Sequence, residues 1–272
     1  MTKTTVIVSV YDKIPELELV IHALLYQTDK NFSVIIAEDG NSENMKAFCS
    51  MIKKFPIEIS HVTQTDQGFR KNSILNKAIG NVSSGQIIFI DGDCVPHSRF
   101  IEAHRSMFQP DTVLCGRRVA LGKRESLNIT IESIINKEYE RTGLRQFIDS
   151  LSSNPDSSKH VEEGLFIESK ILKYRKRGTI RLLGCNFSLS RELLIKVNGF
   201  DENYTSPGIG EDTDLEFRLR LAGANFESVR NKAIVYHLWH TKTKENPENL
   251  SYFQSIMQRS EYKCKNGLVK LN

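Results

Sequence analysis

Along the first hundred residues the apolar positions fall into two alternating regimes. Thr5 to Val10 is a run dominated by valine and isoleucine, Pro15 to Gln27 carries apolar residues at helical spacing with Pro15 in its first turn, and Phe32 to Ala37 is a second apolar run. This is the pattern of a strand, a crossover helix and a parallel strand. The alternation continues: Asn44 to Lys54 predicts a helix, Ile57 to His61 a strand, Lys71 to Ile79 a helix, and Gln86 to Ile90 a strand that runs into Asp91-Gly92-Asp93. The fold class that follows is α/β: an open, mostly parallel sheet flanked by helices. Ligands of such sheets lie beyond the carboxyl ends of the strands. Tyr11-Asp12, Glu38-Asp39-Gly40 and Asp91-Gly92-Asp93 all fall at those ends.

The second half is less regular. From Leu121 to Arg181 the pattern weakens, with a serine-rich stretch at Ser150 to Ser158, and we expect a partly mobile insertion that is helical between Glu132 and Arg141. Order returns with the apolar segment Leu182 to Leu189, a helix from Arg191 to Val197, a loop rich in turn residues from Gly199 to Gly210, a helix from Asp212 to Leu221 and a strand from Ala233 to Tyr236. The chain thus divides into 1–120, an insertion 121–181 and 182–272, as parts of a single domain.

Composition narrows the classes of function. The chain has 272 residues and a net charge of +4, too mild for nucleic-acid binding on its own. It has no stretch of about 18 apolar residues, and its start leads directly into a strand, so we expect a cytoplasmic protein. Five cysteines without CxxC spacing fit reduced thiols. Lys170, Lys173, Arg175, Lys176, Arg177 and Arg181 form one basic stretch, which reads as a solvated face or as a contact with an anionic acceptor or with the inner face of a membrane.

Three motifs carry candidate chemistry. Asp91 and Asp93 flank a glycine that permits a tight turn and close approach of a ligand; hard divalent cations such as Mn²⁺ or Mg²⁺ take such oxygen ligands, although acidic turns are also common without one. Glu211-Asp212 sits where a glycine loop meets a helix, either as a cap or as an ionised general base. His237 and His240 follow the last strand, and imidazole is a good ligand for Mn²⁺-type metals.

In their order, Tyr11-Asp12, Glu38-Asp39-Gly40, Gln67-Gly68-Phe69-Arg70, Asp91-Gly92-Asp93-Cys94-Val95-Pro96, Gly210-Glu211-Asp212 and the histidines resemble family 2 glycosyltransferases of the GT-A fold. The likeness is to bacterial chondroitin-polymerase-type domains, with a carboxyl-terminal part similar to the β-1,4-galactosyltransferases. The resemblance implies a Rossmann-like GT-A sheet whose first part, 1–120, binds a nucleotide sugar, and whose last part, 182–272, binds the acceptor and carries catalysis. It implies a UDP-sugar donor, a Mn²⁺ or Mg²⁺ ion and a glycan or lipid-linked glycan acceptor, with inversion and a role in bacterial surface polysaccharide synthesis. Residue by residue, Ser9 and Tyr11 would line the nucleotide pocket, Glu38 and Asp39 meet the uracil or ribose, and Arg70 lies near the donor. Asp91 and Gly92 would touch the ribose and metal region, Asp93 and His240 bind the metal with His237 beside them, Asp212 act as base and Glu211 help to hold the acceptor.

The chain departs from the galactosyltransferases in having no tryptophan between Asn203 and Gly210, which argues against galactose transfer to N-acetylglucosamine. A sugar nucleotidyltransferase would need a glycine-rich phosphate loop after the first strand, where Ser9-Val10-Tyr11-Asp12-Lys13 has no glycine. A glycan-binding protein that kept the fold without catalysis would be expected to lose a metal ligand or the base.

Overall fold

The structure, a computed structural model, describes residues 3–168, 179–241 and 247–271. The first half is built from β1 (Thr4–Val10), α1 (Ile14–Leu25), β2 (Ser33–Glu38), α2 (Glu43–Ile52), β3 (Glu58–Thr63), α3 (Lys71–Gly80) and β4 (Gln86–Asp91). Then come β5 (Cys94–Pro96), α4 (Phe100–Ser106), β6 (Thr112–Cys115), β7 (Arg117–Ala120), α5 (Lys123–Ser126), α6 (Ile131–Ile135) and α7 (Gly143–Ser150). The chain continues through β8 (Phe187–Ser190), α8 (Arg191–Lys196), α9 (Asp212–Leu221), β9 (Asn225–Ser228), β10 (Ile234–His237) and α10 (Pro247–Met257).

Seven strands form the main sheet in the order β3-β2-β1-β4-β8-β6-β9. All its pairs are parallel except the two that β8 makes, with β4 and β6. Every residue of β1 is buried because both faces are covered: Val6, Val8 and Val10 pack with Leu17, Val20 and Ile21 of α1, while Ile7 packs with Ile74, Leu75 and Ala78 of α3. This is why the central strands read as unbroken apolar runs.

A second sheet, β5-β10-β7, was not expected. β10 runs antiparallel to β5 and parallel to β7. Buried Asn186 ties it to the main sheet, since its Nδ2 donates to Arg117 O at 2.7 Å and Ala233 O at 2.8 Å while His104 Nε2 lies 3.1 Å from its Oδ1. Gly116 makes room for this amide, for a Cβ there would stand 2.2 Å from Asn186 Cγ.

The single helix expected from Glu132 to Arg141 is broken. A capping box at Thr130 starts α6, but Lys137 takes a left-handed conformation with φ 56° and a 3-10 turn follows over Glu138–Arg141. The break turns Tyr139 into the core, where its hydroxyl donates to Pro96 O at 2.8 Å. A tertiary anchor outweighs the local helical pattern here. Of the basic stretch, Lys170, Lys173, Arg175, Lys176 and Arg177 lie outside the described residues.

Candidate active site

The carboxyl ends of β1, β2 and β4 open on one side of the sheet, and most of the expected residues gather there. Gly92 N donates to Ser9 O at 2.7 Å, so the turn after β4 folds onto the end of β1; a Cβ on Gly92 would sit 3.1 Å from Val10 Cβ. Ser9 Oγ then donates to Asp91 Oδ1 at 2.7 Å, and Lys71 Nζ, from the first turn of α3, donates to the same oxygen at 2.8 Å. Lys71 also reaches Glu211 Oε1 at 2.5 Å. One ammonium therefore links the Asp91 turn after β4 to the carboxylate pair at the start of α9. Burial opposes the Lys71 charge, but Asp91 and Glu211 outweigh it and hold its pKa well above the usual lysine value. Glu211 is pushed up to about 7 by burial, against Lys71 and with the help of the neighbouring Asp91 and Asp212 charges.

The second group forms around Asp93. Because His237 pairs with Cys94 across β10 and β5, and Leu238 N donates to Asp93 O at 2.9 Å, the end of β10 delivers both histidines to this carboxylate. His237 Nε2 lies 3.7 Å from Asp93 Oδ1, and His240 Nε2 lies 3.5 Å from Asp93 Oδ2. The two histidines approach opposite oxygens of Asp93, with ring centroids 5.0 Å apart, so the three side chains would have to rotate inward to share one divalent cation with bonds of about 2.1 Å. Burial lowers the His237 pKa to about 4, against the pull of Asp93, so its imidazole is neutral at physiological pH, the form that binds metal. The donor chemistry, one carboxylate and two imidazoles, fits a Mn²⁺-type ion, and Asp93 and His237 are the pair already close enough to share one. Lys13 Nζ donates to Asp93 Oδ2 at 3.0 Å on the same edge.

Asp212 is the first residue of α9, and its Oδ2 accepts from Gly184 N at 2.9 Å. Its approach is fixed by Gly210, at φ 124°, where a Cβ would meet the Tyr204 ring at 2.0 Å. The remaining expected residues stand further out. Asp39 accepts from Gln64 Nε2 and from Arg70 N, each at 2.7 Å, and so braces the loop before α3. Glu38 is buried, taking Ser42 N at 2.8 Å and lying 2.9 Å from His61 Nε2. Tyr11 is exposed, with its hydroxyl on Asp66 Oδ2 at 3.0 Å. Arg70 lines a polar cavity of about 490 Å³ with Gln64, Ser73 and Lys77, and no residue of the Asp91 or Asp93 groups lines it.

Sequence reasoning missed Lys13, Lys71 and Gly184. A signal for Lys71 exists in the chain: a cation at the first position of a helix with no acid in its first turn opposes the helix dipole, and such an anomaly needs a partner from elsewhere.

The open α/β sheet, with a candidate carboxylate and histidine metal set at its strand-end crevice and a second carboxylate pair at the start of α9, is the arrangement of a GT-A-type glycosyltransferase. The pattern of glycosyl transferase family 2 matches residues 5–197, and the chain belongs to that family. A second pattern, the N-terminal domain of galactosyltransferase, matches residues 165–241. The chain is 32% identical over 114 residues to mouse beta-1,4-galactosyltransferase 4; the match covers 42% of this chain and 31% of that protein. By structure it is similar to GalNAc-T7, solved with UDP, GalNAc and Mn²⁺, with a TM-score of 0.63 and 11% identity over 95% of this chain and 48% of that one. It is also similar to the mannosyltransferase PcManGT from Pyrobaculum calidifontis, solved with GDP-Man and Mn²⁺, with a TM-score of 0.56 and 14% identity over 88% of this chain and 57% of that one.

Proposed function

We propose that the chain transfers a sugar from a UDP-sugar to a hydroxyl of a glycan or lipid-linked glycan in one displacement, with inversion at the anomeric carbon. The observation that carries this reading is the convergence of Asp93, His237 and His240 with Glu211 and Asp212, joined through Asp91 and Lys71, at one crevice. Asp93, His240 and His237 would hold Mn²⁺ or Mg²⁺, and the bound ion supplies positive charge against the departing diphosphate. Ser9, Tyr11, Asp39, Asp91 and Gly92 form the nucleotide side, with Arg70 and Glu38 bracing it. Asp212, at the helix N-terminus, takes the proton of the attacking hydroxyl, and Glu211 holds the acceptor. A UDP donor is supported by the structural likeness to a UDP-bound enzyme, while a second neighbour holds GDP-mannose, so the base is a point for measurement. We place the activity in bacterial surface polysaccharide synthesis, on the cytoplasmic face of the membrane, with the basic residues Lys170, Lys173, Arg175, Lys176 and Arg177 as a peripheral contact. Among the described residues no helix is long and apolar enough to cross a membrane.

The test is binding and slow hydrolysis of a panel of nucleotide sugars, with Mn²⁺ and then with excess chelator. Chelator-sensitive choice of one UDP-sugar is the expected result. Asp212→Asn should lower transfer by about 10³-fold while UDP binding is kept. Failure to bind any nucleotide sugar with Mn²⁺ present would overturn the reading, and full turnover by the Asp212 variant would remove its base.

A further inference from the structure

The register of the second sheet sets a sulfur beside the candidate metal ligands. Cys94 and His237 are direct partners in the antiparallel pairing of β5 with β10. Opposed residues of such a pair point to the same face, with Cβ atoms about 4.5–5.5 Å apart, so a thiol and an imidazole share one side of this sheet. Asp93 stands in the turn before β5, and the bond from Leu238 N to its carbonyl at 2.9 Å fixes it at the same strand end.

The side chains meet on one oxygen. Cys94 Sγ lies 3.8 Å from Asp93 Oδ1, and His237 Nε2 lies 3.7 Å from the same atom. Asp93, Cys94 and His237 each offer a ligand atom within 4.8 Å of the other two. Bonds of about 2.0–2.3 Å in a tetrahedral Zn²⁺ site put the ligand atoms about 3.5 Å apart, so both spacings to Oδ1 are already near the required value. His240 approaches the other oxygen, Oδ2, and Lys13 Nζ donates to it, which leaves Oδ1 to the sulfur and the His237 imidazole. A second group, Asp91, Cys94 and Cys185, also brings three ligand atoms within 4.8 Å. It suits a cation less well. Asp91 Oδ1 already accepts from Ser9 Oγ and Lys71 Nζ, and Arg118 Nη1 lies 3.7 Å from Cys185 Sγ, so positive charge stands at both ends.

We propose that Asp93, Cys94 and His237 form a tetrahedral site for a thiophilic divalent cation of the Zn²⁺ type, with its fourth position left for water or a substrate oxygen. Thiolate sulfur selects Zn²⁺ over Mn²⁺ or Mg²⁺, which take oxygen ligands. As the metal–sulfur bond forms, the Cys94 thiol gives its proton to solvent. This ion shares Asp93 and His237 with the Mn²⁺ of the proposed function, so the two compete for one place, and Cys94 sets the preference between them. The inference rests on the reading of Asp93 and His237 as metal ligands, but the sulfur has its own spectroscopic signature, so the two fail separately.

The experiment is titration of the full chain with Co²⁺, an optically visible stand-in for Zn²⁺, followed by displacement with Zn²⁺, while Mn²⁺ binding is read in parallel by electron paramagnetic resonance. The wild type should show a near-ultraviolet sulfur-to-cobalt charge-transfer band that Zn²⁺ removes. Cys94→Ser and Cys94→Ala should each lose the band and lower Zn²⁺ affinity at least about tenfold, with Mn²⁺ affinity within about threefold of wild type. Cys185→Ala should keep the band, and His237→Ala should weaken Co²⁺ binding at least about tenfold. A chain that binds Mn²⁺ but gives no sulfur band with Co²⁺ would overturn the sulfur ligand and leave the Mn²⁺ reading standing. Binding of neither metal would overturn both. A band that survives both Cys94 variants, or one that Cys185→Ala abolishes while His237→Ala leaves it intact, would place the ion elsewhere and overturn the proposal.

Discussion

Replacing Gly210 by alanine tests how tightly the fold sets the position of the carboxylate pair. The added Cβ would stand 2.0 Å from Tyr204 Cδ1, and the backbone φ of 124° is one that side-chain-bearing residues rarely adopt. The backbone conformation costs about 1–3 kcal/mol, and the overlap about as much again if nothing moves. Either the ring or the loop must give. Tyr204 is buried and packs edge to face on Tyr252, with centroids 5.1 Å apart, so the ring is held. The loop is the softer partner, and it leads directly into Glu211 and Asp212. With Asp212 as the base proposed above, a displacement of about 1 Å there costs about 10²-fold in rate. Gly210→Ala should therefore lower kcat by about 100-fold and Tm by only a few degrees, with UDP and Mn²⁺ binding within about threefold of wild type. Steady-state transfer or donor hydrolysis, thermal unfolding and UDP titration read the three quantities. A variant with wild-type kcat and Tm would refute the packing argument, and one that lost stability without a fall in kcat would show that Tyr204, not the loop, yields.

Two further outcomes follow from buried charge. Arg218 Nη2 meets Asp214 Oδ2 at 2.5 Å with both side chains buried, while its Nη1 donates to Val197 O and Gly199 O at 2.8 and 2.9 Å, so Arg218→Met should cost about 3–5 kcal/mol in urea unfolding, and the double change with Asp214→Leu should recover much of it; an unchanged midpoint for the single variant would contradict this. Glu211 has a folded pKa of about 7, raised from 4.5. The proton is bound more tightly in the folded state, so this contribution to stability is full below about pH 4.5 and is lost as pH rises through about 7, by at most about 3 kcal/mol because Lys71 shares the charge. Glu211→Gln should flatten the decline of Tm between about pH 5 and pH 8, and equal slopes in the two proteins would show that Glu211 stays ionised throughout.

The parts of the fold legible in the chain are those where burial acts on both faces of an element. β1, β2 and β4 read as apolar runs, and α9 was placed at Asp212–Leu221 because a glycine loop and two acids mark its start. The short strands were not legible. β5 has three residues and β6, β7 and β9 four each, too few for a period, and β9 exposes three of its four. The site divides in the same way. Asp91, Asp93, Glu211, Asp212, His237 and His240 stood out by residue type and local spacing, whereas Lys71 and Lys13 act across 20 and 80 residues of chain and had no local partner to reveal them.

The second sheet explains why the histidines could be named but not placed. Read along the chain, His237 and His240 are two imidazoles after a strand, equally suited to core or surface. Their meeting with Asp93 depends on β10 pairing with β5, which follows Asp93 directly, and with β7, held by the Asn186 amide. That amide is buried with all three of its polar contacts made, so its loss would remove a buried donor from Arg117 O and Ala233 O and loosen the strand that presents the candidate ligands. The candidate metal site is thus specified by a residue about 50 positions before the histidines and about 90 after the aspartate, none of whose partners is a ligand. Chemistry was readable from residue type, while its assembly was written in the pairing of strands too short to leave a pattern.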